Sequence, residues 1–123
     1  MCNLCKKMTA LLLLAVLALL SGCSCDDREF LADIFVPLED TSAEIVIKEW
    51  RWLSGSGAEI YYQKSDELTL LGKTTGGDDG YCPFAAGNFS IDVEKSELVV
   101  RWSFRATDPE NSWREERFAL PDT

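Results

Sequence analysis

The side chains best suited to chemistry fall in a few places. Asp78 and Asp79 sit as a carboxylate pair in KTTGGDDGYCPFAAG, Lys73 to Gly87, the longest irregular stretch of the chain. Such a pair could bind calcium. The stretch nevertheless lacks the alternating oxygen ligands of an EF-hand loop and has no glutamate in the twelfth position. Ser54 and Ser56 lie in Ser54-Gly55-Ser56-Gly57, without the outer glycine spacing of a nucleophile elbow. Glu115 and Glu116 are neighbours in a β-prone segment, so they point to opposite faces and cannot act as a close acid pair. The sequence has no histidine, hence neither the usual general base near neutral pH nor the commonest transition-metal ligand. A serine nucleophile has nothing to activate it, and two carboxylates opposed across a cleft, as a glycosidase needs, are not evident. We therefore expect no catalytic residue, no metal and no cofactor.

Large rings are the remaining candidates. Trp50, Trp52, Trp102 and Trp113, with Tyr61, Tyr62 and Tyr81, are many for so short a chain. A solvent-facing row could stack on sugar rings or anchor a protein partner. The alternative is a small core built from aromatics, which suits Trp102 best. The candidate binding residues are Trp50, Trp52, Tyr61, Asp78, Asp79, Tyr81 and Trp113.

What positions these residues begins with Leu11 to Leu20, an unbroken apolar run. As a helix it would be about 15 Å long, against a bilayer core of about 30 Å, too short for a stable span. It has the length of a signal-peptide core, with Lys6 and Lys7 as its positive flank. The run ends in Leu20-Ser21-Gly22-Cys23, which resembles the lipobox of bacterial lipoproteins. The resemblance covers residues 1–23 only. It implies cleavage before Cys23, lipidation of the Cys23 thiol, often with acylation of the new amino terminus, and attachment to a membrane outside the cytoplasm. By the rule of Gram-negative bacteria, Ser24 after the cysteine is compatible with sorting to an outer membrane. Two or three acyl chains hold firmly where one binds marginally. The expected organisation is a signal peptide over 1–22, a lipidated leader and tether over 23–29, and a single β domain over 30–123.

Removing 1–22 takes Lys6 and Lys7 away, so the formal charge moves from −9 by two units to −11. That disfavours nucleic acid and anionic headgroups; it suits a cationic partner, or solubility alone. Cys2 and Cys5 leave with the signal and form no redox or zinc pair, while Cys25 and Cys82 remain as a possible disulfide in an oxidising compartment.

Seven strand-like segments follow. Phe30 to Val36 comes first and ends at Pro37. In Ser42 to Leu53 the phase shifts: Ile45 and Ile47 share one face, Trp50 and Trp52 the other. A β-bulge near Lys48 and Glu49 would turn all four inward; without one, the tryptophans face out. Ser54 to Gly57 reads as a flexible turn. Ala58, Ile60 and Tyr62 alternate with polar neighbours, and a three-residue loop Lys64-Ser65-Asp66 would set Tyr62 opposite Leu68 and Ile60 opposite Leu70. The clearest pattern spans Phe89 to Phe104. A two-residue turn at Lys95-Ser96 pairs Val93 with Leu98, Ile91 with Val100 and Phe89 with Trp102. Asp108-Pro109-Glu110-Asn111 is a turn, and Ser112 to Leu120 a last strand. The expected fold is all-β, a small antiparallel sandwich or barrel of about six or seven strands. The expected role is a non-catalytic binding module at the cell envelope with an unknown protein partner, the alternative being glycan or cell-wall binding through exposed Trp and Tyr residues. Small acidic lipoproteins that inhibit lysozyme are similar in size and anchoring, an analogy without shared motifs that admits inhibition of a cationic hydrolase.

Overall fold

A computed structural model describes residues 28–39 and 41–121. Residues 1–27, and with them the apolar run, the lipobox, Cys23 and Cys25, lie outside the described residues. The fold is all-β, as expected. Strands β1 (Glu29–Phe30), β2 (Ile34–Pro37), β3 (Glu44–Trp52), β4 (Gly55–Lys64) and β5 (Glu67–Thr75) form one sheet. Strands β6 (Phe89–Glu94), β7 (Glu97–Trp102) and β8 (Arg114–Ala119) form a second. Every pairing is antiparallel. Eight strands replace seven because the first breaks in two. Both pieces lie along the same edge of β3, Phe30 opposite Trp50 and Ile34 opposite Ile47. Between them Leu31 still donates its N–H to the Glu49 carbonyl, and Asp33 swings out to Lys48 at 3.0 Å.

The two sheets enclose one core. Ile45, Ile47, Ala58, Ile60 and Tyr62 come from the first sheet, Leu98, Val100, Trp102 and Phe118 from the second. Alternation along each strand puts these residues on facing surfaces. The hairpin β6–β7 has the register expected from its pattern: Val93 with Leu98, Ile91 with Val100, Phe89 with Trp102. Phe84 drops into this core from the long connection, 5.2 Å from the Phe89 ring and stacked on Trp102 at 6.3 Å.

Two expectations are corrected. Gly55, Ser56 and Gly57 belong to β4, and the turn is Leu53-Ser54. Residue 57, opposite Trp50, has to be glycine because the indole lies across it and leaves no room for a Cβ. The β4–β5 turn has two residues, Ser65 and Asp66, not three, so Tyr62 meets Thr69, Tyr61 meets Leu70 and Gln63 meets Leu68. Ser65 takes the positive φ that so tight a turn requires. A bulge near Leu71 then restores the inward phase, bringing Gly72 opposite Ile60 and beneath the Phe118 ring. Strand β3, in contrast, pairs with β4 without a break from Glu44 to Trp52, so Trp50 and Trp52 face outward.

Candidate functional site: the outer face of the five-stranded sheet

The unbroken register of β3 decides which surface is exposed. With Ile45, Ile47 and Glu49 inward, Val46, Lys48, Trp50 and Trp52 point to the outer face, where Val46 is covered by its neighbours at 2% exposure. Residues paired directly across strands share a face, so four outer rows can be read off the registers. Phe35, Val46, Tyr61 and Leu70 form one row across β2, β3, β4 and β5. Pro37, Glu44, Gln63 and Leu68 form the next. Lys48, Glu59 and Lys73 form a charged row on the other side, and Phe30, Trp50, Gly57 and Thr75 lie beyond it.

Phe35 is 56% exposed, Leu70 46% and Leu68 43%. Of seven large hydrophobic residues exposed in the described structure, five (Phe30, Phe35, Trp52, Leu68 and Leu70) lie on this face, and Leu53 caps its β3–β4 turn. The outer face therefore carries two apolar patches. One is Phe35, Leu68 and Leu70 around Tyr61, over a buried Val46; the other is Phe30, Trp50, Trp52 and Leu53. About 20 Å of strand separates Val46 from Trp52, and the charged row lies between.

The polar groups of that row are tied to one another. Lys48 bridges Asp33 and lies 5.9 Å from the Tyr61 ring centre. The Tyr61 hydroxyl donates to Glu59 at 3.1 Å. Desolvation first, and this bond second, hold that hydroxyl above its ordinary pKa, so it stays a donor. Arg28 lies over both the Phe30 and Trp50 rings, at 5.6 and 5.2 Å. Trp50 is thereby half-buried, while Trp52 remains 46% exposed.

Trp50, Trp52 and Tyr61 are thus on one face. The other candidates are elsewhere. Asp78 is bound by Arg105 at 3.1 Å, and its N–H donates to the Phe104 carbonyl. Asp79 has φ +52° and lines a shallow recess with Glu29, Arg51, Trp52, Leu53 and Gly80. The Tyr81 hydroxyl accepts from the Asn88 amide at 2.6 Å, and the Tyr81 carbonyl accepts from Ser56 Oγ at 2.7 Å. Trp113, half-buried between β7 and β8, donates its indole N–H to Asp108 O. Cys82 has a free, half-buried thiol whose pKa is raised by burial and by nearby Glu49. Among the described residues, no three acidic, cysteine or histidine side chains converge as a metal site.

The connection from Gly76 to Asn88 packs as an end-cap of the sandwich. Glu49 holds it from below, accepting the N–H groups of Phe84 at 3.1 Å and Ala85 at 2.7 Å, while only 1% exposed. At the sandwich end away from Trp52, a groove of about 420 Å³ opens between the sheets, lined by Val36, Leu38, Tyr62, Ile91, Val93 and Leu120.

Sequence reasoning missed Phe35, Leu68 and Leu70 as surface residues. Leu68-Thr69-Leu70-Leu71 is apolar in both phases, a sign that the strand does not keep one dry face. Neither a family model, nor a curated protein, nor a solved structure matches this chain.

Proposed function

We propose that this chain is an exported lipoprotein, held at a membrane by acyl chains on Cys23, whose β domain is a non-catalytic binding module. A protein partner docks on the outer face of the five-stranded sheet. The observation that carries this is the cluster of exposed Phe35, Leu68 and Leu70 around Tyr61, packed over a buried Val46, since a contiguous exposed apolar patch marks an interaction site. An apolar centre with an aromatic ring and a charged margin has the composition of a protein interface. The acid excess favours a partner with a basic surface, which includes a cationic exported hydrolase inhibited by the contact. Aliphatic side chains beside Tyr61 favour a protein over a glycan, since sugar rings need flanking hydrogen-bond groups as well as a stacking plane.

The test is crosslinking in intact envelopes, with wild type compared to Leu70→Asp and Tyr61→Ala. Both side chains are outside the core, so thermal unfolding should move little while the crosslinked partner is lost. Unchanged crosslinking in both variants sinks the face. If cell-wall fragments shift the tryptophan emission of wild type but not of Trp52→Ala, the ligand is a glycan instead. For the anchor, Cys23→Ala should abolish acyl labelling and trimming at that site; labelling that persists removes the lipoprotein reading.

A further inference from the structure

We infer that the β3–β4 turn, Trp52 and Leu53 with Phe30 beside them, enters the lipid interface and sets the orientation of the domain on its membrane. This rests on the anchor reading above. Leu53 is 89% exposed at the tip of the turn, with φ +35°. Positive φ favours glycine, asparagine or aspartate, so leucine is a poor choice for making the turn and also gains nothing there from the core. Trp52, 46% exposed, precedes it, and Phe30, 48% exposed, lies opposite Trp50 on the same face.

The direction of the chain supplies the occupant. Strand β1 runs antiparallel to β3, with Glu29 opposite Arg51 and Phe30 opposite Trp50. One position earlier, Arg28 is level with Trp52, so β1 begins at the end of the sheet where Leu53 projects. From Cys23 to Arg28 is five residues, at most about 17 Å fully extended. A lipidated Cys23 cannot hold the domain away from the bilayer at that reach, so this end, and not the groove at the opposite end, faces the lipid. Tryptophan at the headgroup level and an aliphatic side chain below it is the arrangement that interfaces favour.

Among the described residues at this end, Arg28, Arg51 and Arg105 stand against Glu29, Asp78 and Asp79, with Arg51–Glu29 and Arg105–Asp78 both at 3.1 Å. The leader adds Asp26 and Asp27, so the approach to lipid rests on the acyl anchor and the apolar tip and not on charge.

The experiment uses the lipidated protein, its acyl mass on Cys23 checked first, in phosphatidylcholine vesicles with and without acyl-chain bromination. Bromine should quench wild-type emission by up to about one quarter, one ring in the four. Trp52→Phe should remove at least half of that quenching. Leu53→Asn, which suits the positive φ, should keep or raise the unfolding temperature and also reduce the quenching. Equal emission in both vesicles, or quenching untouched by either substitution, overturns the inference and leaves the anchor standing. Absence of acyl mass on Cys23 overturns both.

Discussion

Glu49 is the single charged residue buried in the described core, and its two backbone donors come from the end-cap connection. A carboxylate there replaces water with Phe84 and Ala85 N–H groups, so it fastens the cap whose Phe84 ring completes the core. Truncation would strand both donors. Glu49→Ala should cost about 2–4 kcal/mol in urea unfolding, and Glu49→Gln less, because one acceptor oxygen survives. Burial raises the Glu49 pKa against the opposing pull of the two donors. The folded protein then binds that proton more tightly than the unfolded chain. The stability from this group is full below the ordinary value of 4.5 and is lost as pH rises through the raised value. Wild type should therefore lose stability relative to Glu49→Gln as pH rises from about 4.5 through the raised value; a difference that grows the other way contradicts the assignment. The residue was legible only conditionally. It shares a phase with Ile45 and Ile47 once β3 is taken as unbroken, whereas a bulge at Lys48 and Glu49 would have hidden it.

Among the elements, the β6–β7 hairpin was readable because both strands alternate cleanly and the two-residue turn leaves one register that pairs inward residues. Its turn chemistry was not. Lys95 and Ser96 both take positive φ, at 50° and 68°, the geometry of a type I′ turn that prefers Asn-Gly. The double substitution Lys95→Asn and Ser96→Gly should stabilise the domain by about 1 kcal/mol, seen as a higher urea midpoint at unchanged slope. Strand β5 shows the opposite case. Pairing like with like assigned Leu68 and Leu70 to the core, and the rule failed because a two-residue turn slips the register by one, which reverses the face of every side chain. The bulge near Leu71 undoes that slip only for Gly72 onward. Gly72→Ala tests the repaired phase: its Cβ would press on the Phe118 ring, so a loss of about 1–3 kcal/mol is expected, against a near-neutral effect if residue 72 faced outward.

For the molecule as a whole, the fold orders its surfaces along one axis. The chain enters at the Trp52 end, the charged row of Lys48, Glu59 and Lys73 crosses the middle, and the patch around Tyr61 and Leu70 lies farther from that entry. In an anchored protein this arrangement gives the two apolar patches separate tasks. For the basic protein partner proposed above, the acid excess and the apolar patch would act on different steps of association. Long-range attraction of a basic partner accelerates encounter and is screened over about 10 Å at 0.1 M salt, while contact with Phe35, Tyr61 and Leu70 sets how slowly the complex dissociates. Raising salt from about 0.05 to 0.5 M should lower the association rate roughly tenfold or more and change the dissociation rate by less than about threefold, as read by surface-bound kinetics with the crosslinked partner. Leu70→Asp should do the reverse, raising the dissociation rate with a small effect on encounter. A complex whose dissociation rate climbs steeply with salt and ignores Leu70 would place the contact on the acidic surface instead of the apolar row.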